Sequence, residues 1–297
     1  MALSQTIPST KLNDGSEMPM LGYGTGTAWF KKSESILGSL DSNLVEATKT
    51  AVGLGYHHLD GAEVYRTEPE LGKAIAECEV PREKLFVTTK VNQNVSDIPA
   101  ALDASLQKLN LEYVDLYLIH QPFFAQTKEQ LQQAWAAMEQ VKASGKARSI
   151  GVSNFLQSHL EIILETATVI PSVNQIEYHP YLQHGNLVPW QQSKGITTVS
   201  YGGLTPTTRA AGGPVDELLA SLAKKYAVSA GEILLRWCLD QGVVSITTSS
   251  KESRLVSYLR ALTFQLTPKE IQNISELGQT HHYRAFWKDK FAEDDRS

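Results

Sequence analysis

A thirty-residue period runs through the first half of this chain and restricts what it can fold into. Three apolar, strand-like runs read Tyr56-His57-His58-Leu59-Asp60, Leu85-Phe86-Val87-Thr88-Thr89-Lys90 and Val114-Asp115-Leu116-Tyr117-Leu118-Ile119-His120. Each ends in an ionisable residue, and Asp60, Lys90 and His120 stand thirty positions apart. Helix-like stretches fill the gaps, so the repeating unit is a strand followed by a helix.

The alternation continues along the chain. Strands are expected at 19–23, 56–60, 85–90, 114–119, 148–152, 172–176, 196–200 and 243–247. Helices are expected at 42–54, 68–77, 99–109, 128–144, 156–165, 186–194, 214–226, 229–240 and 251–262. Asp97 before Pro99, and Thr267 before Pro268, resemble helix starts with proline in the first turn. Eight strands alternating with helices imply a parallel sheet, and right-handed crossovers let that number close into a (β/α)8 TIM barrel. Near the start, Thr10-Lys11-Leu12 and Met18-Pro19-Met20 flank Asn13-Asp14-Gly15-Ser16, a hairpin signal. No linker interrupts the pattern, so residues 1–297 read as one domain with an N-terminal β-hairpin and a C-terminal tail.

Charge and cysteine usage narrow the class. A net charge of −5 gives no footprint for nucleic acid and no polybasic membrane patch. No apolar stretch approaches the roughly 18 residues of a membrane span. Met1-Ala2-Leu3-Ser4-Gln5 lacks a signal-peptide pattern. Cys78 and Cys238 have no metal or redox spacing and read as reduced core residues. The expectation is a soluble cytoplasmic protein, a monomer or weak homodimer, whose partner is a small molecule.

In a parallel barrel every strand's C-terminal end opens on one rim, where such folds do their chemistry. Asp60, Lys90 and His120 arrive there together, and Tyr65 lies five residues past Asp60. A free Tyr has a pKa of about 10 and is a poor acid at neutral pH, but an ammonium beside it favours the phenolate and lowers that value. Lys90 could supply the charge, Asp60 could hold the lysine, and His120 could donate to the same substrate oxygen. Such a donor facing a developing alkoxide suits carbonyl reduction. Ser153-Asn154, Gln175 and Tyr201 follow on the same rim, as do Thr248, Ser249, Lys251 and Arg254. Aromatic groups from Trp29 and Phe30, from Phe123, and from Phe286 and Trp287 could wall a pocket around the polar centre. The aromatic tail from Gln279 to Lys288 could equally pack on outer helices or fold over the barrel mouth.

These motifs, in Leu-Asp-Gly-Ala-Glu-Val-Tyr, Val-Thr-Thr-Lys and Leu-Ile-His-Gln-Pro, resemble the catalytic tetrad of the aldo-keto reductases. The likeness continues through Gly151-Val152-Ser153-Asn154-Phe155 and Asn174-Gln175-Ile176-Glu177-Tyr178-His179-Pro180, and covers nearly the whole chain. It is nearest to fungal and yeast members that reduce α-keto amides, α-keto esters and conjugated polyketones. The resemblance implies NADPH lying across the rim, with NADH as a weaker alternative. It implies Tyr65 as general acid, Lys90 and Asp60 tuning it, and His120 orienting the carbonyl. Ser153, Asn154 and Gln175 would hold the carboxamide and Tyr201 would stack on the nicotinamide. Thr25 and Gly202 would complete the cofactor set, and Arg254 would grip the 2′-phosphate. The chain departs from the family where many members have Trp and it has Gln121 and Asn92, and where a Lys-Ser pair aligns with Thr248-Ser249. Lys251 could replace that missing ammonium. With Gln121 in place of an indole and a short 121–127 loop, the substrate pocket should be wide.

Other readings fit less of the pattern. Gly22-Tyr23-Gly24-Thr25-Gly26 is not a dinucleotide-binding fingerprint, because its spacing is wrong and the next helix starts far downstream. Ser153 lacks the second glycine of a nucleophile elbow. The adjacent pairs His57-His58 and His281-His282 lack metal-ligand spacing, so no metal is expected. A Schiff-base aldolase on Lys90, or a cofactor-bound regulatory protein without turnover, remain the rivals from other classes.

Overall fold

Alternation along the strands sorts side chains into two separate cores. In β6 (Val114–Ile119), Leu116 and Leu118 face one side while Tyr117 and Ile119 face the other. Leu116 and Leu118 join a small cluster with Phe86, Val173, Val199 and Val244, all from other strands. Tyr117 and Ile119 join the large cluster that includes the helices. Two cores on opposite faces of one sheet are what a closed sheet requires. The computed structural model describes residues 6–31 and 39–297. Met1–Gln5, read above for a signal peptide, lies outside the described residues.

Among the described residues eight parallel strands close a barrel: β3 (Leu21–Gly24), β4 (His58–Asp60), β5 (Phe86–Val91), β6, β7 (Ala147–Ser153), β8 (Val173–Glu177), β9 (Thr197–Tyr201) and β10 (Val244–Thr247). The last strand pairs back onto the first, with Ile246 opposite Gly22. The helices α1 (Ser42–Gly53), α2 (Glu68–Glu77), α3 (Ile98–Leu109), α4 (Lys128–Ala143), α5 (Gln157–Leu164) and α6 (Leu187–Ser193) cover the first six crossovers. The short α7 (Thr205–Thr208), α8 (Asp216–Tyr226), α9 (Ala230–Leu239), α10 (Glu252–Leu259) and α11 (Pro268–Gln279) follow. Their start signals act as expected. Asp97 accepts a hydrogen bond from the Ala100 amide at 3.1 Å, and Thr267 and Glu270 form a reciprocal capping box.

Several expected strands begin a residue or two before the ladder does. Leu85, Ile196 and Val243 are the cause: each is buried although pairing starts only at the next residue. The sequence pattern reports burial, and burial precedes hydrogen bonding here. Helix α7 was not expected, because four residues are too few for a 3.6-residue period to show.

The hairpin closes the bottom of the barrel. β1 (Ser9–Lys11) pairs with β2 (Glu17–Pro19), and Gly15 takes a φ of +92° in the turn, a conformation glycine adopts readily. Leu12 and Met18, on either side of the turn, are buried in the interior cluster. Cys238 is buried and Cys78 only partly so, and both are free thiols.

Inside the barrel His58 places Nδ1 3.1 Å from the Pro19 carbonyl and Nε2 3.3 Å from Thr88 Oγ1. Burial holds its pKa down to about 4, with Asp60 only partly offsetting. Burial likewise takes His184 down to about 4. The unfolded chain therefore binds protons on these rings before the folded one does. Stability should be fully present above about pH 6.5 and fall as pH drops toward 4, by about 1.4 kcal/mol per pH unit for each ring. Denaturant midpoints at pH 7.5 and pH 5 check this, and equal midpoints would count against neutral buried rings.

Candidate active site

Period-two alternation delivers one inward residue to the upper end of each strand. Asp60 lies two residues past the inward His58 in β4, and Lys90 lies four past Phe86 in β5. His120 lies two past Leu118, Gln175 two past Val173, and Tyr201 two past Val199. Tyr65 comes from the loop after β4 on a single 3₁₀ turn, Glu63–Tyr65. The Glu63 carboxylate anchors that turn. It accepts the amides of Asn92 at 2.8 Å and Gln93 at 3.0 Å and also binds the Asn94 side chain. The turn carrying Tyr65 is thus tied to the strand end carrying Lys90.

At the centre sits a buried ion pair. Lys90 Nζ donates to Asp60 Oδ1 at 2.6 Å and to the Gly61 carbonyl at 2.7 Å, and Lys90 is fully buried. Asp60 Oδ2 accepts from Gln175 Nε2 at 2.8 Å. Burial lowers the Lys90 pKa, with Asp60 opposing. Tyr65 corrects the expectation drawn from sequence. Its phenol is pushed up, not down, first by burial and then by the Asp60 carboxylate. The physical reason is placement: Lys90 Nζ lies over the Tyr65 ring, 5.1 Å from its centroid, and directs hydrogens at Asp60 and Gly61. The phenol therefore stays protonated at neutral pH, the form in which it donates. His120 packs edge-on to Tyr65 with ring centroids 5.5 Å apart. Burial, then the Lys90 charge, holds its pKa well below the usual histidine value, so the ring is neutral.

A cleft of about 770 Å³ runs from this centre to the start of α10. Of the residues singled out by sequence, Asp60, Tyr65, His120, Asn154, Gln175, Tyr201, Gly202, Thr248 and Arg254 line it, with Phe30, Phe286 and Trp287. Others stand behind. Lys90 and Thr25 are buried beneath, where Thr25 Oγ1 donates to the Asp60 carbonyl at 3.2 Å. Ser153 Oγ donates to the Gln175 carbonyl at 2.7 Å and accepts from Asn154 Nδ2 at 3.0 Å. Asn154, at φ +61°, also donates to the His120 carbonyl at 2.8 Å and accepts from the Tyr201 hydroxyl at 2.5 Å. Trp29 Nε1 donates to the Tyr23 hydroxyl at 3.1 Å, away from the lining. Ser249 turns back onto the Lys251 amide at 3.0 Å. Lys251 is the exposed N-cap of α10 and is off the lining, while Arg254 in the first turn is on it. Gln121 is off the lining too. Phe123 meets the site only through Trp287, at a centroid distance of 5.4 Å.

The tail folds over the mouth. Trp287 lies 6.3 Å from the His120 ring, and Phe286 lies 5.2 Å from Tyr201 and under the Arg209 guanidinium at 4.6 Å. Gly26, Asn92 and most of the 203–209 segment also border the cleft, although no motif marks them as lining residues. The barrel rule could have found the last, since it directly follows the rim residue Tyr201.

A phenol and a neutral imidazole beside a buried ion pair, at one end of a long cleft, are groups chemically able to move a proton to a bound small molecule. The chain belongs to the Aldo/keto reductase family, whose sequence model matches residues 21–279. It is 45% identical over 277 residues to an NAD/NADP-dependent indole-3-acetaldehyde reductase of Schizosaccharomyces pombe, covering 92% of this chain and 96% of that one. It is 40% identical over 290 residues to an NADPH-dependent alpha-keto amide reductase of Saccharomyces cerevisiae, covering 93% of each. The fold superimposes on a crystal structure of a Bombyx mori aldo-keto reductase in complex with NADP with a TM-score of 0.84, at 34% identity over 96% of this chain and 98% of that one.

Gly26 gives a test of how closely Tyr65 is held. A Cβ there would sit 2.8 Å from Tyr65 Cε2 and 2.9 Å from Cζ, so the ring would have to move. Because a side chain and not backbone gives way, Gly26→Ala should leave the melting temperature nearly unchanged. It should lower kcat by about 10-fold or more, the scale expected when a reacting group is displaced by a fraction of an ångström. Unchanged kcat would show that the position of the phenol is not critical.

Proposed function

We propose that this protein reduces carbonyl groups of small molecules with NADPH, using Tyr65 as the proton donor. The observation that carries the reading is Tyr65 packed edge-on to His120, 5.5 Å between ring centroids, beside the buried Lys90–Asp60 pair. The far end of the cleft fits the rest of the cofactor. Thr247 Oγ1 is buried there without a hydrogen-bond partner, and Thr248 and Arg254 border the same stretch. Hydroxyls beside an arginine suit a phosphate monoester. When bound, NADPH supplies the hydride. The family likeness assigns its amide end to Asn154, Gln175 and Tyr201, which border the other end of the cleft.

Each protein group has one task in this reading. His120, neutral, donates to the substrate oxygen and fixes which face of the carbonyl is presented. Tyr65 passes its proton to that oxygen as negative charge develops there. The Lys90 ammonium, held over the Tyr65 ring by Asp60 and the Gly61 carbonyl, would offset the charge of the phenolate left behind. Carbonyls flanked by an ester, amide or second ketone should react best, because their electron-poor carbon accepts hydride more readily. The aromatic wall of Phe30, Phe286 and Trp287 suits the non-reacting part of such a molecule. NADPH should be preferred over NADH, with NADH retained as the weaker cofactor; the fission-yeast relative is named for both. The expected setting is cytoplasmic, as a monomer or weak homodimer. No helix among the described residues is long and apolar enough to cross a membrane. Against a Schiff-base aldolase, Lys90 lies off the cleft lining with its ammonium bonded to Asp60 and Gly61.

Tyr65→Phe should fold and bind NADPH normally yet lose about 10²–10⁴-fold in turnover, the usual contribution of general acid catalysis. More than half of wild-type turnover at saturating NADPH would remove Tyr65 from this role. For the wild type, kcat/KM for reduction should show no break at the ordinary histidine value near about pH 6.5, since burial takes the His120 imidazole below it. A break there would show that His120 is protonated in the working enzyme. Arg254→Ala should raise Kd for NADPH by about 10-fold or more while changing NADH little, because only NADPH carries the 2′-phosphate. Equal losses measured by fluorescence titration would place Arg254 away from it.

A further inference from the structure

Glu177 ends β8 with its carboxylate buried and no role in the chemistry above. Oε1 lies 2.9 Å from His179 Nε2 and accepts from the Ala285 amide at 2.8 Å, and Oε2 accepts from the Phe286 amide at 3.0 Å. Each carboxylate oxygen thus accepts one tail amide, and an amide side chain in its place would turn an N–H group toward one of these donors. The next residue, Trp287, takes a φ of +57°, the left-handed region that a bulky side chain rarely enters. Such a conformation persists only where the surroundings over-determine it. Here the two amides before it are pinned to the strand that also carries Gln175, and Glu177 pairs in register with Tyr201.

We propose that Glu177 is a positioning residue that sets substrate selectivity: it fastens the tail so that Trp287 stands against His120 and Phe123 as a fixed wall. This rests on the reading of the cleft as a carbonyl-reducing site. Without the latch the Phe286–Trp287 wall becomes mobile while the tetrad stays in place. Bulky ketones, which need the wall, should suffer, whereas a small aldehyde, which does not reach it, should react as before.

The test is Glu177→Gln, alone and combined with Trp287→Ala, assayed with propanal and with 1-phenyl-1,2-propanedione, alongside hydrogen–deuterium exchange of the 283–291 amides. Exchange at Ala285 and Phe286 should speed up, and NADPH affinity should hold. The diketone-to-aldehyde ratio of kcat/KM should shift by about 10-fold, the scale at which a single pocket contact discriminates substrates. In the Trp287→Ala background, Glu177→Gln should no longer move that ratio. An unchanged ratio, or the same shift with Trp287 absent, would overturn the proposal in favour of a purely structural carboxylate. If Glu177→Gln does not fold, Glu177→Asp keeps the charge beside His179 but retracts from the tail amides, and should give the same shift. If the wild type reduces neither carbonyl, the functional reading fails, while faster exchange still reports the latch.

Discussion

The arrangement at the barrel mouth depends on a lysine that has lost its water. An ammonium as buried as Lys90 is tolerable only because Asp60 and the Gly61 carbonyl replace its hydration. Removing either charge would leave the other uncompensated, at a cost of about 3–5 kcal/mol. The pair is poor evidence for stability, since an apolar pair of similar size would serve the fold as well. What it provides is a positive charge held against the Tyr65 ring in a medium of low dielectric, where it acts strongly on whatever negative charge appears there. The rest of the site is arranged around this pair: Gln175 binds the second Asp60 oxygen, and Thr25 binds the Asp60 backbone.

Around that centre the loops are held by buried acids. Strand ladders stop at the rim, so the amides beyond it need other acceptors. Glu63 takes those of Asn92 and Gln93, and Glu177 takes those of Ala285 and Phe286. Four of the seven left-handed non-glycine residues among those described belong to this region: Thr27, Asn154 and Trp287 line the cleft, and Arg66 follows Tyr65. Backbone held in sparsely populated conformations beside a reacting centre is the usual sign that precise placement outweighs local ease.

Much of the fold was legible because strand burial and helix caps are local. Asp97 and Thr267 announce their helices through side chains within three residues of the amides they bind. The meeting of Asp60, Lys90 and His120 at one rim was legible because strand alternation and a common rim bring distant positions together by rule. Charge environment was not. Whether Lys90 lowers Tyr65 or burial raises it depends on which atoms the ammonium faces, a three-dimensional fact that a thirty-residue spacing does not contain. Lys251 and Arg254 differ in the same way. Both are cations near the eighth strand, yet the N-cap position leaves one off the cleft and the first helical turn puts the other on it. The part played by Glu177 rests on a contact across 108 positions, between a strand end and a tail whose course the sequence left open.

The hairpin has a consequence for traffic. With Leu12 and Met18 buried in the interior cluster at its base, the described barrel is packed shut from below, and the cleft lies at its upper rim. Substrate, displaced solvent and product all use that rim, beside Phe286 and Trp287. Entry and exit are therefore queued, not independent: nothing can be pushed through from behind. A barrel stoppered at its base turns the order of departure into a property of the lip, where cofactor, alcohol and aromatic tail meet.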